Sequence, residues 1–106
     1  MAYDEGLAAR LRDLVPALTE KKMFGGLAFL LNGNMAVGVH GDALIVRLDA
    51  DEAADALAEP GARPFDFTGR PMKGWLLVDP IGYAEEDDLN GWVHRAVDFA
   101  GSLPAK

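Results

Sequence analysis

The 106-residue sequence contains no cysteine, one serine, two threonines and two histidines. Without cysteine there can be no disulfide, iron-sulfur cluster, thiolate zinc site or cysteine nucleophile. The hydroxyls are Thr19, Thr68, Ser102 and the two tyrosines, Tyr3 and Tyr83, and no G-x-S-x-G elbow surrounds Ser102, so nothing points to a Ser/His/Asp triad. His40 and His94 lack the H-x-x-x-H spacing that sets two rings on one helical face, and Glu85 to Asp88 lacks the alternate ligands and turning glycine of a calcium loop. No metal or cofactor is expected. Long apolar runs are also missing. Nothing approaches about 18 consecutive apolar residues, and Met1 to Arg10 has no basic segment leading into an apolar stretch, so a cytoplasmic protein without a membrane segment is expected. Cations are outnumbered by acids, 10 to 17, for a formal charge of −7, which argues against a surface coated in phosphate contacts while leaving a local basic patch open.

What is present is half hydrophobic, and this length suits one domain over residues 1–106 that buries roughly 65% of its unfolded surface. Leu7, Leu11, Leu14, Val15 and Leu18 recur at helical spacing, with Asp4 and Glu5 at the positive end and Pro16 breaking the helix near Val15. After Gly25-Gly26 the period changes. Strands are expected at Leu27 to Leu31, Met35 to Val39 and Ala43 to Leu48, joined by turns at Asn32-Gly33-Asn34 and Gly41-Asp42, with an optional leading piece at Lys21 to Phe24. Asp49 then caps a short helix over Ala50 to Ala58, which Pro60-Gly61 stops. Arg63 to Gly74, with two prolines and two glycines, reads as loop or edge strand, and Trp75 to Asp79 as a short apolar strand. From Glu86 to Leu103 a stripe of Leu89, Trp92, Val93, Ala96, Val97 and Ala100 predicts the last helix.

That order gives an α+β two-layer sandwich on an antiparallel sheet, α-β(3)-α-β(2)-α. Apolar residues occupy both faces of its strands. Leu27, Phe29 and Leu31 oppose Ala28 and Leu30, while Ile45, Leu76 and Val78 oppose Leu44, Val46 and Leu77. Three helices are few for two faces, so a homodimer through the uncovered sheet face is expected, the alternative being cover by flanking loops and Trp75.

The glycines do not form a phosphate cradle. Gly69 to Gly74 has the G-x-x-x-x-G spacing but continues as Trp75-Leu76 into a strand, and Gly33, Gly38 and Gly41 do not form G-x-G-x-x-G. Turn geometry accounts for them, with a bulge or close backbone approach at Gly38. The basic residues are more suggestive. Lys21, Lys22, Arg47, Arg63, Arg70 and Lys73 lie near Phe24, Phe65, Phe67, Met72 and Trp75, a mixture able to hold nucleic acid or an anionic ligand. Eight acids from Glu20 to Asp66 share the span, so the region is not basic on balance, and ordinary surface charge with snorkelling stems is the favoured reading of the same residues.

The pieces Lys22-Met-Phe-Gly-Gly26, Gly41-Asp42 with Val46-Arg47, and Pro60-Gly-Ala-Arg-Pro-Phe-Asp-Phe-Thr-Gly-Arg-Pro-Met-Lys-Gly74 resemble, in this order, the amino-terminal domain of the TfoX/Sxy family. The resemblance runs across nearly the whole chain. It implies a secretion-chaperone-like two-layer fold with a helix, three-strand, helix, two-strand, helix topology. It also implies a link to regulators of natural competence, which act on transcription of DNA-uptake genes together with a cyclic-AMP receptor protein. In those regulators a helix-hairpin-helix domain follows, and this sequence is expected to lack it, ending at Lys106. The family carries no established catalytic residues. At the motif positions Gly25, Gly26, Gly69 and Gly74 suit special backbone geometry, and Phe24, Phe67, Met72 and Trp75 suit packing under a loop. Arg47, Arg70 and Lys73 have no such packing role, and with Lys21 and Lys22 they are the candidates for contacting a partner or anion. The expected function is a small non-catalytic regulatory or protein-interaction module. A nucleic-acid or anionic small-molecule binder is the alternative, and an enzyme the third, favoured only by a deep pocket holding Asp66 or His40 beside Arg47 or Arg70.

Overall fold

A computed structural model describes residues 3–23, 25–66 and 72–105 of the chain. The first helix, α1, runs Glu5–Leu14 and starts where Asp4 accepts a hydrogen bond from the Leu7 amide at 3.1 Å. Such a cap is worth about 1 kcal/mol. It buries Leu7, Ala8 and Leu11, and Pro16 follows its end. Four strands come next: β1 Thr19–Met23, β2 Gly26–Leu31, β3 Asn34–His40 and β4 Ala43–Arg47. Asn32 and Gly33 take positive φ angles of 54° and 81°, the combination that turns a two-residue hairpin with the natural strand twist. The optional leading piece is thus a full strand, and the meander has four members instead of three.

Helix α2, Ala50–Ala56, is capped by Asp49, which accepts from the Asp51 amide at 3.1 Å. β5, Ala62–Pro64, is the edge strand expected of the proline-rich stretch, and β6 is Trp75–Val78. One element departs from expectation: Pro80 ends β6 but also opens a short helix, α3, Pro80–Tyr83, because a proline is pre-set for the first helical turn. The last helix, α4, is Glu86–Ser102, with Glu86, Asp87 and Asp88 at its positive end.

All strands pair antiparallel in the order β1-β2-β3-β4-β6-β5, so the α+β sandwich stands. Register assigns the faces. Leu44 pairs with Val78 and Val46 with Leu76, and these four face the helices with Leu27, Phe29, Val37 and Val39. Buried residues of all four helices join that cluster, among them Leu11, Ala53, Tyr83 and Trp92. Ile45 and Leu77, directly opposite each other, point the other way into a smaller cluster with Ala28, Met35, Ala43 and Phe65, flanked by half-buried Met23, Leu30 and Trp75. The expectation of pairing with a second copy rested on this face being uncovered. Its centre is buried within one chain: Ala28, Ile45 and Phe65 are each 0% exposed. Among the described residues the exposed large apolar side chains are Leu57 and Ile81, both off the sheet.

Two glycines let the strands close up. A β-carbon on Gly26 would overlap the Val39 carbonyl oxygen, and one on Gly38 would lie 2.5 Å from the Leu27 carbonyl oxygen. The second glycine of the Phe-Gly-Gly motif is therefore a strand-packing requirement, while Gly25 sits at φ 72°. At the β3–β4 turn Tyr83 donates its hydroxyl to the Asp42 carbonyl, and Trp92 donates its indole N–H to the Gly82 carbonyl at 3.1 Å, fixing α3 between that turn and α4. Asn34, the one buried polar side chain among the described residues, donates to the Pro104 carbonyl at 2.9 Å and ties down the chain after α4.

Gly26→Ala is expected to cost about 2–3 kcal/mol through overpacking against backbone, whereas Gly91→Ala, on the open side of α4 with no neighbour within 4 Å, should gain about 0.5–1 kcal/mol. Urea titrations followed by circular dichroism compare them, and equal effects would contradict the packing described. A second expectation concerns pH. Burial, then the nearby charges of Asp4 and Asp42, raise the Tyr83 hydroxyl above its ordinary value. A raised folded value favours the neutral phenol, so this contribution is complete below the ordinary value of about 10 and is lost as pH rises through the folded value. Tyr83→Phe should cost about 1 kcal/mol at neutral pH, by leaving the Asp42 carbonyl without its donor, and should flatten the alkaline fall in melting temperature.

Candidate functional site

The richest corner of the molecule lies where β4 ends and β6 begins. Arg47 and Trp75 are directly paired across those strands. Just before Trp75 the chain makes a tight turn, with the Trp75 amide donating to the Met72 carbonyl at 3.1 Å and Gly74 at φ 84° in the third position, where glycine is the residue that fits. The Leu48 amide donates to the Gly74 carbonyl at 2.7 Å, and the Met72 amide to the Phe65 carbonyl at 3.0 Å. A β-carbon on Gly74 would come within 2.7 Å of the Leu48 carbonyl oxygen. The Met-Lys-Gly-Trp part of the motif is thus a backbone clamp on the end of β4. It leaves Lys73 exposed on the turn and Trp75 half-buried on the sheet.

Arg47 is half-buried, its guanidinium carbon 5.2 Å from the centre of the Trp75 ring and 5.7 Å from that of Phe99 on α4. Phe65 meets the Trp75 ring edge-on, with centroids 5.9 Å apart at 74°. Arg47 therefore has the packing role that its sequence context did not disclose. Its planar cation lies against two aromatic rings, an attraction of about 0.5–1 kcal/mol per ring when partly exposed. Arg10 and Arg95 also lie over rings, of Tyr83 and Trp92, but each of the other described arginines pairs with a carboxylate. Arg10 binds Glu86 at 3.1 Å, Arg12 binds Glu20 at 2.9 Å, Arg63 binds Asp79 at 3.0 Å and Arg95 binds Glu59 at 2.9 Å. Among the described residues no carboxylate pairs with Arg47.

Beside this corner is a hollow of about 190 Å³ between α2 and the β5–β6 pair. Ala53, Ala54 and Leu57 form one wall, Pro64 and Met72 the other, and Trp75 and Lys73 stand at the end nearest Arg47. The alanines make the space, because larger side chains on that face of α2 would close it.

The structure places the five sequence candidates unequally. Arg47 and Lys73 flank the Leu48–Gly74 hydrogen bond and share the corner. Lys21 and Lys22 are exposed on the edge strand β1, three strands from β4 and hence roughly 14 Å or more away at about 4.8 Å per strand. They also point to opposite faces, Lys21 with Ala28 and Lys22 with Leu27. Lysines on an edge strand block unwanted strand pairing, which is reason enough for them there. Arg70 lies outside the described residues, as do Phe24, Phe67 and Gly69. His94 is exposed and 3.3 Å from Asp98, and Ser102 donates its hydroxyl to the Phe99 carbonyl at 2.6 Å. No group of three or more metal-ligating side chains occurs among the described residues.

Phe99, Ala53 and Leu57 were not foreseen as part of a site. Phe99 lies seven residues after Trp92 and three after Ala96, at the edge of the apolar stripe of α4, and that spacing is the signal the sequence offered for it. A family model described as the TfoX N-terminal domain matches residues 9–100. No curated protein and no solved structure matches the chain.

Arg47→Ala is expected to lower stability by about 1–2 kcal/mol through loss of both ring contacts and the aliphatic stem. In a double-mutant cycle with Phe99→Ala by urea denaturation, a coupling of about 0.5–1 kcal/mol is expected. Additive effects would show that the two side chains do not interact.

Proposed function

The chain belongs to the TfoX N-terminal domain family, and from that premise we propose that it is a non-catalytic regulatory module, of the competence-regulator kind, that works by holding a protein partner at the Arg47–Trp75 corner. One observation carries the choice of place. Four described arginines are neutralised by carboxylates of this chain, and the fifth, Arg47, lies against two rings with no carboxylate among the described residues. In a chain of charge −7 that contains 17 acids, a cation left without one is available to an outside group. The adjoining apolar hollow supplies area that a partner side chain can bury. No helix among the described residues is long and apolar enough to cross a membrane.

The second reading, an anionic small molecule or nucleic acid held by the same cations, has in its favour the closeness of Arg47 and Lys73. The separation of Lys21 and Lys22 from them speaks against a continuous phosphate track. Filter binding at two salt concentrations separates the readings, since nucleic-acid affinity falls steeply as salt rises.

The test of the leading reading is site-specific photocrosslinking in the cell of origin. With p-benzoylphenylalanine at Ala54, in the hollow, a discrete protein adduct is expected. It should vanish when Arg47→Glu is added in a chain that still melts cooperatively. The same probe at His94, exposed and away from the corner, should give no such adduct. Identical adducts at both positions, or none at Ala54, would refute the assignment.

A further inference from the structure

The geometry points to the chemistry of the partner: we propose that the corner takes a protein segment in which a carboxylate side chain is next to an aliphatic one. The carboxylate sits on the edge of Arg47 and the aliphatic group in the hollow of Ala53, Leu57, Pro64 and Met72. The inference rests on the reading of this corner as the partner-binding place.

Three observations carry it. Trp75 and Phe99 lie against the guanidinium of Arg47, and no carboxylate among the described residues takes its N–H donors. Those donors form a fixed fork that matches the two oxygens of a carboxylate, and a cation already held between rings loses little freedom on accepting it. Next, the hollow of about 190 Å³ is walled by alanine, leucine, proline and methionine, with Lys73 at its mouth, so its floor offers contact area and no polar recognition. It fits a branched aliphatic group. Trp75 borders both parts, which sets the two recognised groups on adjacent or near-adjacent residues of one segment.

Charge selects the class of macromolecule. Asp49, Asp51, Glu52 and Asp55 belong to or cap α2, the wall of the hollow, and all four are exposed. Among the described residues a polyanion would meet these four acids with Arg47 and Lys73 to offset them, and the next described lysines are across the sheet on β1. A single carboxylate with an apolar neighbour meets Arg47 beside Trp75 and sets that neighbour into the hollow, past Lys73.

The experiment uses the full chain, isotopically labelled for NMR. It is titrated separately with acetyl-Leu-Glu-Leu-amide, acetyl-Leu-Gln-Leu-amide, acetyl-Ser-Glu-Ser-amide, inorganic phosphate and an oligothymidylate. The glutamyl-leucyl peptide should move the Trp75 indole N–H and the Gly74 and Ala54 amides saturably. The glutaminyl and seryl peptides should each bind about tenfold more weakly, the scale of one charge-assisted fork or one buried aliphatic group. Arg47→Lys should lose a similar factor for the glutamyl peptide alone, because it keeps charge and loses the fork. Lys73→Gln, on an exposed turn, gives a smaller loss in a fold that is not at risk.

Equal binding of the three peptides, no saturable shift with any, or a stronger response of the same signals to phosphate or oligothymidylate each overturns the proposal. A crosslink at Ala54 without peptide discrimination leaves the partner reading and removes this chemistry. A missing crosslink removes the partner reading whatever the peptides do.

Discussion

The antiparallel pairing of β4 with β6 is the constraint from which the rest of the structure follows. These strands are distant in sequence, separated by α2, β5 and the proline-rich stretch, and closing that loop costs on the order of 3 kcal/mol in chain entropy. Burial offsets it. Leu44, Val46, Leu76 and Val78 interlock under the helices while Ile45 and Leu77 meet on the reverse face. Once this register is set, β6 separates β4 from β5, α2 must cross beside β5 and β6, and Trp75 must lie against Arg47. The same pairing that completes the core therefore builds the Arg47–Trp75 corner.

Backbone economy explains why the motif residues are where they are. Gly26 and Gly38 let β2 and β3 approach more closely than side chains would permit, and Gly74 lets the Met72–Trp75 turn clamp Leu48. None of these glycines does chemistry. They hold neighbouring residues in place. Arg47 is the clearest case: the place of its guanidinium is set by two rings from different elements, one on β6 and one near the end of α4.

Much of the fold was legible because its signals are local. The apolar spacing of Leu7 and Leu11, the Asp4 and Asp49 caps, the Asn32-Gly33 turn and the stripe from Leu89 to Ala100 each act within a few residues. Where signals overlapped, reading was harder. Pro80 both stops β6 and starts α3, and Thr19 to Lys22, polar and exposed on an edge, gave little period to detect. The site was less legible than the fold. Lys21, Lys22, Arg47 and Lys73 are equivalent as charges in a sequence, and distance across the sheet separates them into two guards of an edge strand and two members of one corner.

The sequence by itself determined that the chain has one α+β layer pair, that both sheet faces are apolar, that thiol chemistry is absent and that the balance of charge is acidic. These are properties of composition and short-range pattern, which act before any long-range contact forms. Only the tertiary structure decided which apolar residues face the helices, that the second face closes within one chain at its centre, and that Arg47, alone among the described arginines in having no carboxylate, lies against Trp75 and Phe99. Those outcomes depend on strand register and on contacts between residues far apart in the chain, for which no local pattern carries a signal.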